Sequence, residues 1–319
     1  MSMRIAEVQY IKKKHGTLYA MWKHRVFYLF LLIPIAWYLI FQYYPMFGLL
    51  LAFKEFKFNL GIIGSPWASS NGLKYFINFL RDSSFYGYIR NTVSISLLKL
   101  AFGFPAPIIL ALMLNSVTHQ KFKRLTQTLS YLPYFINWVV VSALLVKILS
   151  PYGGLLNEIR RMIDPSAEMI FYLGEPRAFY PIVVISDIWK NIGWGSILYL
   201  SALTNVDPTL YEAAEIDGAR RWRVLFNITL PSIYGTVGIM LILSFANVLN
   251  AGFDQIYLIQ TPPTISVSEI LDTYILKKGI RQGEFAYASA IGLFKSAITL
   301  ILIILVNGVS RRFTEVSVW

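Results

Sequence analysis

Apolar residues in this chain fall in long unbroken runs, without the alternation of a half-buried strand. Six runs are long enough to matter: Val26–Phe53, Asn91–Leu114, Thr128–Leu149, Tyr180–Thr204, Ser232–Leu249 and Tyr287–Gly308. A helix needs about 20 predominantly apolar residues to cross roughly 30 Å of hydrocarbon, so each predicts a transmembrane helix. The first is long enough to tilt or to extend past the bilayer, with Pro34 and Pro45 as candidate kinks. Asn247 and Asn250 blur the end of the fifth. Continuous runs argue against a barrel, whose strands alternate apolar and polar positions. The predicted fold class is an all-α integral membrane protein with six transmembrane helices.

Composition agrees. Of 319 residues, 56% are hydrophobic and 14% charged, with a mean hydropathy of +0.54. Soluble domains carry about 25% charged residues, and half that charge cannot cover a water-facing surface of this size. Cysteine is absent, which removes disulfides and thiolate chemistry together.

The net charge of +12 has its first explanation in the excess of Lys and Arg on cytoplasmic segments. No nucleic-acid signature accompanies it, so no nucleic-acid partner is expected. Residues 1–25, the two loops after the second and fourth runs, and the tail together hold 14 basic and 6 acidic residues, whereas the opposite loops hold 11 and 10. Both termini are therefore expected on the cytoplasmic side of the membrane. The organisation reads as a basic, interfacial N-terminal segment (1–25), a six-helix transmembrane domain (26–308) and a cytoplasmic tail (309–319). Residues 54–90 include an aromatic stretch, Leu73–Leu80, that reads as a helix lying on the membrane surface.

Catalytic signatures are missing. There is no phosphate-binding glycine loop and no nucleophile elbow, and the three histidines, His15, His24 and His119, lack metal-ligand spacing. Neither enzymatic activity nor a metal or cofactor of its own is expected. Energy must come from a partner or from an ion gradient.

The most informative segment is the loop 205–231. Asp207 before Pro208 is a helix start, with a capping carboxylate and a proline where no bond is lost. Leu210, Ala213, Ala214 and Asp217 share a helical face, and Gly218 can take the left-handed conformation that ends the helix. A second short helix over 219–226, with Arg220, Arg221 and Arg223, would complete a compact knob. From the physics alone, a protein-docking knob and an amphipathic loop lying on anionic lipid weigh equally.

The residue pattern separates them. Glu212-Ala213-Ala214, then three residues, Gly218, nine residues and Ile228-Thr229-Leu230-Pro231 resemble the EAA loop of binding-protein-dependent ABC importer permeases. The flanking segments Tyr43–Gly48, Gly61–Trp67, Phe253–Leu258, Asp272–Tyr274 and Gly292–Ser296, with Trp319 at the end, are similar to the LplB-type, maltose-like branch of sugar permeases. The resemblance implies a type I ABC importer permease fold over 26–308 in a bacterial plasma (inner) membrane, with no cofactor in this chain and ATP and Mg in partner ATPase subunits. It further implies a second, distinct permease, two ATP-binding subunits and an extracytoplasmic solute-binding protein. Under it, Glu212, Ala213, Ala214, Asp217, Gly218 and Arg221 would meet the ATPase.

A carbohydrate path needs aromatic faces for C–H surfaces and amides or carboxylates for hydroxyls. The fourth run offers Asp187, Trp189, Lys190, Asn191 and Trp194, and the fifth offers Ser244, Asn247 and Asn250. Asp187 and Lys190, three apart, are alternatively a self-neutralising pair. Tyr131, Tyr134 and Trp138 read equally as interface anchors. Lys99 and Lys295, deeper in their runs, are candidates to attract an anionic sugar such as a uronate. Two other readings stay open at this level: a secondary transporter driven by an ion gradient, and an importer of a non-sugar solute.

Overall fold

A computed structural model describes residues 22–246 and 248–314. The expected N-terminal interfacial helix, Asn247 and Trp319 lie outside the described residues or largely so. The described chain is helical, with one isolated antiparallel bridge between Lys54 and Trp67. It divides after Tyr75 into two compact units.

In the first unit, α1 (Arg25–Phe53) is a continuous apolar helix of 29 residues whose large side chains are mostly exposed. Its pitch changes along its length. An α-helical part ends at Tyr38, a wide π turn covers Leu39–Tyr43, and a tight 3-10 stretch follows from Tyr44. Pro45 supplies the reason: it lacks an N–H, and its ring crowds the carbonyl four residues back, which a wider turn relieves. The same device recurs where Lys99–Gly103 precedes Pro105 and where Leu225–Thr229 precedes Pro231. At these three prolines the helix widens without ending, whereas Pro34 and Pro181 sit inside regular α-helix. After α1, buried Lys54 donates to the Ile63 carbonyl and lies over the Trp67 ring.

Helix α2 (Lys74–Leu80) crosses the division. The second unit continues with α3 (Phe85–Ser116), α4 (Gln120–Phe135), α5 (Trp138–Ile148), α6 (Leu155–Ile163) and α7 (Pro176–Thr204). Next come α8 (Pro208–Ile216), α9 (Arg221–Ser232), α10 (Tyr234–Ala246) and α11 (Phe253–Ile259). It closes with α12 (Leu271–Leu276) and α13 (Phe285–Thr314).

Three helices (α1, α3 and α13 through Gly308) are long and apolar enough to span a membrane alone. The expected third and fifth spans are not straight helices. The third breaks between α4 and α5 with a 101° bend, and the fifth is bent by 62° between α9 and α10. At the first break, Ile136 and Asn137 leave helical geometry, and the Asn137 side chain accepts the Val139 N–H to start α5. The fourth expected span lies within α7, which at 29 residues is about 44 Å long but too polar to qualify on composition.

Helix α7 is the axis of the second unit. Near its start, Phe179 and Val183 join Ile95, Ala251, Ile256, Ile259 and Ile270 in one apolar cluster. Near its end, Tyr199, Leu200 and Leu203 join Ala111, Leu114 and Ile233 in another. Between the two, α7 makes its closest approaches. A Cβ on Gly193 would stand 1.9 Å from the Ser130 carbonyl oxygen, and one on Gly195 would stand 2.9 Å from Pro107. Elsewhere, Lys295 pairs with both oxygens of Asp272 at 2.6 Å. Phe79, Phe85, Tyr274, Tyr287 and Phe294 pack ring on ring, with the Tyr274 hydroxyl donating to Asp82 at 2.8 Å. Burial pushes the Tyr274 phenol well above its usual range.

Candidate functional site

A cavity of about 530 Å³ opens between the two apolar clusters, lined by α3, α7, α10 and the segment after α10. That is within the range of small-ligand sites, about 300–1,000 Å³. Of the residues proposed from sequence for a substrate path, Asp187, Asn191, Ser244 and Asn250 line it. Trp189, Lys190 and Trp194 do not, and Asn247 lies outside the described residues.

The cavity's cation is Lys99, on the π turn of α3. Its ammonium donates to Gln255 Oε1 at 2.6 Å and to Asp187 Oδ1 at 3.1 Å. Gln255 is fully buried, and its Nε2 donates in turn to the Val183 carbonyl and to Ser186 Oγ, both at 2.8 Å. Gly252, with φ of +89°, gives the ammonium its room, because a Cβ there would stand 2.5 Å from Nζ. Asp187 is thus neutralised by Lys99, 88 residues away, and not by Lys190 on its own helix. Lys295, the other candidate for anion attraction, is occupied by Asp272.

Lys190 has a different task. It is buried and donates to the Tyr134 carbonyl at 2.6 Å and the Pro133 carbonyl at 3.5 Å, beneath the rings of Tyr134 and Trp138. Trp194 stacks on Tyr134 with centroids 4.6 Å apart. These residues hold the broken end of α4 against α7. Tyr134 and Trp138 therefore serve a packed clamp as well as any interface. Lys190→Met would leave the Tyr134 carbonyl without its donor, while the Pro133 carbonyl keeps the Ile136 N–H. We expect a loss of about 2 kcal/mol, read as a lower thermal midpoint of the detergent-purified protein, with Lys190→Arg retaining part of it.

The loop 205–231 forms the expected knob. The Asp207 carboxylate accepts the Thr209 N–H at 2.9 Å, and this bond holds its pKa below the usual carboxylate range. At the other end of α8, the Ala219 N–H reaches the Ala214 carbonyl and the Gly218 N–H reaches that of Glu215, at 2.9 and 3.0 Å. With Gly218 at φ of +66°, this is a Schellman ending. Ala214 is buried within the knob, and the Tyr211 hydroxyl reaches Thr229 Oγ1 at 3.4 Å to tie α8 to α9. Glu212, Ala213, Asp217, Gly218 and Arg221 are exposed.

The second helix differs from its expected bounds: α9 runs from Arg221 to Ser232, beyond Phe226, because the π turn carries it through to Pro231. Sequence reasoning missed Ile216 and Trp222, which are 87% and 72% exposed and give the knob an apolar tip. Large apolar residues within a charged loop were the available signal. It also left Ser96 out of the cavity and Gln255 out of the network that holds Lys99. Lys99 stood out as the sole charged residue of the second run.

Residues 103–315 match the profile of the family described as binding-protein-dependent transport system inner membrane component. The chain is 39% identical over 308 residues to the polygalacturonan/rhamnogalacturonan transport system permease protein YteP of Bacillus subtilis, covering 97% of this chain and 94% of that one. It is 41% identical over 288 residues to protein LplB of the same organism, covering 90% and 89%. Among solved structures, it resembles a chain of a bacterial ABC transporter involved in the import of the acidic polysaccharide alginate. The TM-score is 0.85 at 37% identity, over 92% of this chain and 98% of that one. A second structure of such a transporter, in complex with an alginate pentasaccharide-bound periplasmic protein, aligns at 0.85 and 36% identity over 93% and 98%.

Proposed function

We propose, from the premise that this chain belongs to the family of binding-protein-dependent transport system inner membrane components, that it is the permease subunit of an ATP-driven importer of oligosaccharides. The observation that carries this is end-to-end similarity to permeases and solved transporters named for polysaccharide import. The cavity supports it, since it combines amides, a hydroxyl and an ion pair with apolar walls in the middle of the helical bundle.

In this reading the chain crosses the membrane six times: α1, α3, the α4–α5 pair, α7, the α9–α10 pair and α13. Both ends face the cytoplasm in this reading, in line with the excess of Lys and Arg on the segments of that side. Helix α7 tolerates its polar residues because they face protein and cavity, not lipid. The solute-binding protein delivers its sugar from the outer side. The knob at 205–231 sits in a cleft of one of two ATP-binding subunits, where ATP and Mg act. A second permease completes the pair.

The mechanism follows from the rigidity of the knob. Capped at Asp207, closed at Gly218 and tied through Tyr211, α8 has no independent hinge, so motion of the ATPase is delivered to α9 and the spans behind it. A conformational shift needs a partner that binds the two states differently, and an ATPase that closes around ATP supplies one. Alternating access is then rigid-body movement around the cavity.

Affinity purification from native membranes, with co-purifying chains quantified by mass spectrometry, tests this. The expected set is two ATPase copies, one further six-span permease and, with sugar present, the binding protein. Recovery of the chain alone or as a self-dimer, even after cross-linking through the knob, would remove the reading in favour of a gradient-driven transporter.

A further inference from the structure

We infer that Lys99 is the specificity-determining residue of the cavity and that it receives the carboxylate of an acidic sugar unit, a uronate, during passage. The inference deepens the oligosaccharide-import reading and rests on it.

An ammonium has three N–H donors. Two are used, by Gln255 Oε1 and Asp187 Oδ1, and the third has no acceptor among the described residues. Lys99 is only 13% exposed at its side chain, yet it lines the cavity. A buried cation with an open donor at a cavity wall favours an anionic ligand oxygen, because a charge-assisted bond is roughly twice as strong as a neutral one.

The surroundings hold the ammonium in place without satisfying it. Gln255 is braced by Val183 and Ser186, so its oxygen is a fixed neutral acceptor. Asp187 supplies the counter-charge that makes an empty cavity tolerable, through the longer of the two contacts. A ligand carboxylate approaching the open donor takes over that neutralising role, and the contact to Asp187 is the one free to lengthen.

A second, independent observation points to a ligand at the same place. Ser96 lies one helical turn before Lys99, lines the cavity and is buried, and its hydroxyl has no hydrogen-bond partner among the described residues. Native proteins leave few buried hydroxyls unpaired. Across the cavity, the Asn191 and Asn250 amides have no partners among the described residues and suit sugar hydroxyls. A neutral sugar would use the hydroxyl and the amides but would have no need of the ammonium.

The test uses the complete importer in proteoliposomes, with its binding protein saturated by trigalacturonate or by the uncharged trimethyl ester of the same trisaccharide. The unaltered transporter should prefer the acid. Lys99→Gln should lower uptake of the acid about tenfold or more, as expected for loss of one charge-assisted bond, and uptake of the ester less than about threefold. Lys99→Arg should keep the preference, and it keeps the test decisive if the glutamine variant does not assemble.

Equal losses for acid and ester would show a structural brace. So would loss of the preference in Lys99→Arg. Each overturns the assignment while the carbohydrate reading stands, as does a transporter that carries the ester but not the acid. A transporter that carries neither sugar, yet imports a non-carbohydrate solute, would remove the carbohydrate reading and this assignment with it.

Discussion

Replacing Gly193 with valine is expected to abolish recovery of folded protein. Even the first added carbon would stand 1.9 Å from the Ser130 carbonyl oxygen, 2.3 Å from its carbon and 2.8 Å from the Tyr131 nitrogen. These are backbone atoms of α4 and cannot rotate aside as the end of a side chain can. Relief requires α4 and α7 to move apart, which would also part Lys190 from the Tyr134 carbonyl and Trp194 from the Tyr134 ring. Overpacking commonly costs about 1–3 kcal/mol, occasionally more, and this site lies at the upper end because two further sets of contacts fail with it. Loss of the monodisperse peak in detergent size-exclusion chromatography is the readout. Gly235→Ala, where a Cβ meets nothing within 4 Å, is the matched control and should behave as the unaltered protein. Normal yield and midpoint for Gly193→Val would show that the two helices do not meet there.

The second large effect is functional. Gly218→Val should leave the membrane domain folded and uncouple it. Nothing lies within 4 Å of a Cβ at this position, so space is not the obstacle; the backbone is, at φ of +66°. A left-handed residue costs an L-amino acid roughly 1–2 kcal/mol, and a β-branched one is a genuine outlier there. The strain falls on the exposed link between α8 and α9, so the knob re-angles and the core is spared. In the complete transporter, sugar carried per ATP hydrolysed should fall more than about tenfold, with purification yield close to normal and basal ATP turnover retained. Gly218→Asn, a residue that tolerates the left-handed region, should recover most of the coupling. Unchanged coupling in the valine variant would dissociate the knob from energy transfer.

The contrast between these glycines shows what the chain pattern could and could not disclose. Gly218 was legible because its role is local: a capped start at Asp207, a helical face and a left-handed ending all lie within a dozen residues. Gly193 was not, because its partner is a backbone carbonyl 63 positions away. Lys190 likewise seemed the natural neighbour of Asp187 by spacing, yet the tertiary structure sends it to Tyr134 and brings Lys99 to Asp187 instead.

What the sequence determined by itself is what local physics writes into it. Unbroken apolar runs specify spanning helices, because lipid offers the backbone no other hydrogen-bond partner. The punctuation of Asp-Pro and Gly shapes the knob. The tertiary structure decided which polar groups meet. It bent the expected third and fifth spans by 101° and 62° and widened helices ahead of Pro45, Pro105 and Pro231. It also divided the residues singled out on the expected fourth span, giving Asp187 and Asn191 to the cavity and Lys190 and Trp194 to a clamp. The physical reason is that a buried charge takes the partner that packing places within reach, and helix periodicity alone does not say which helix stands opposite.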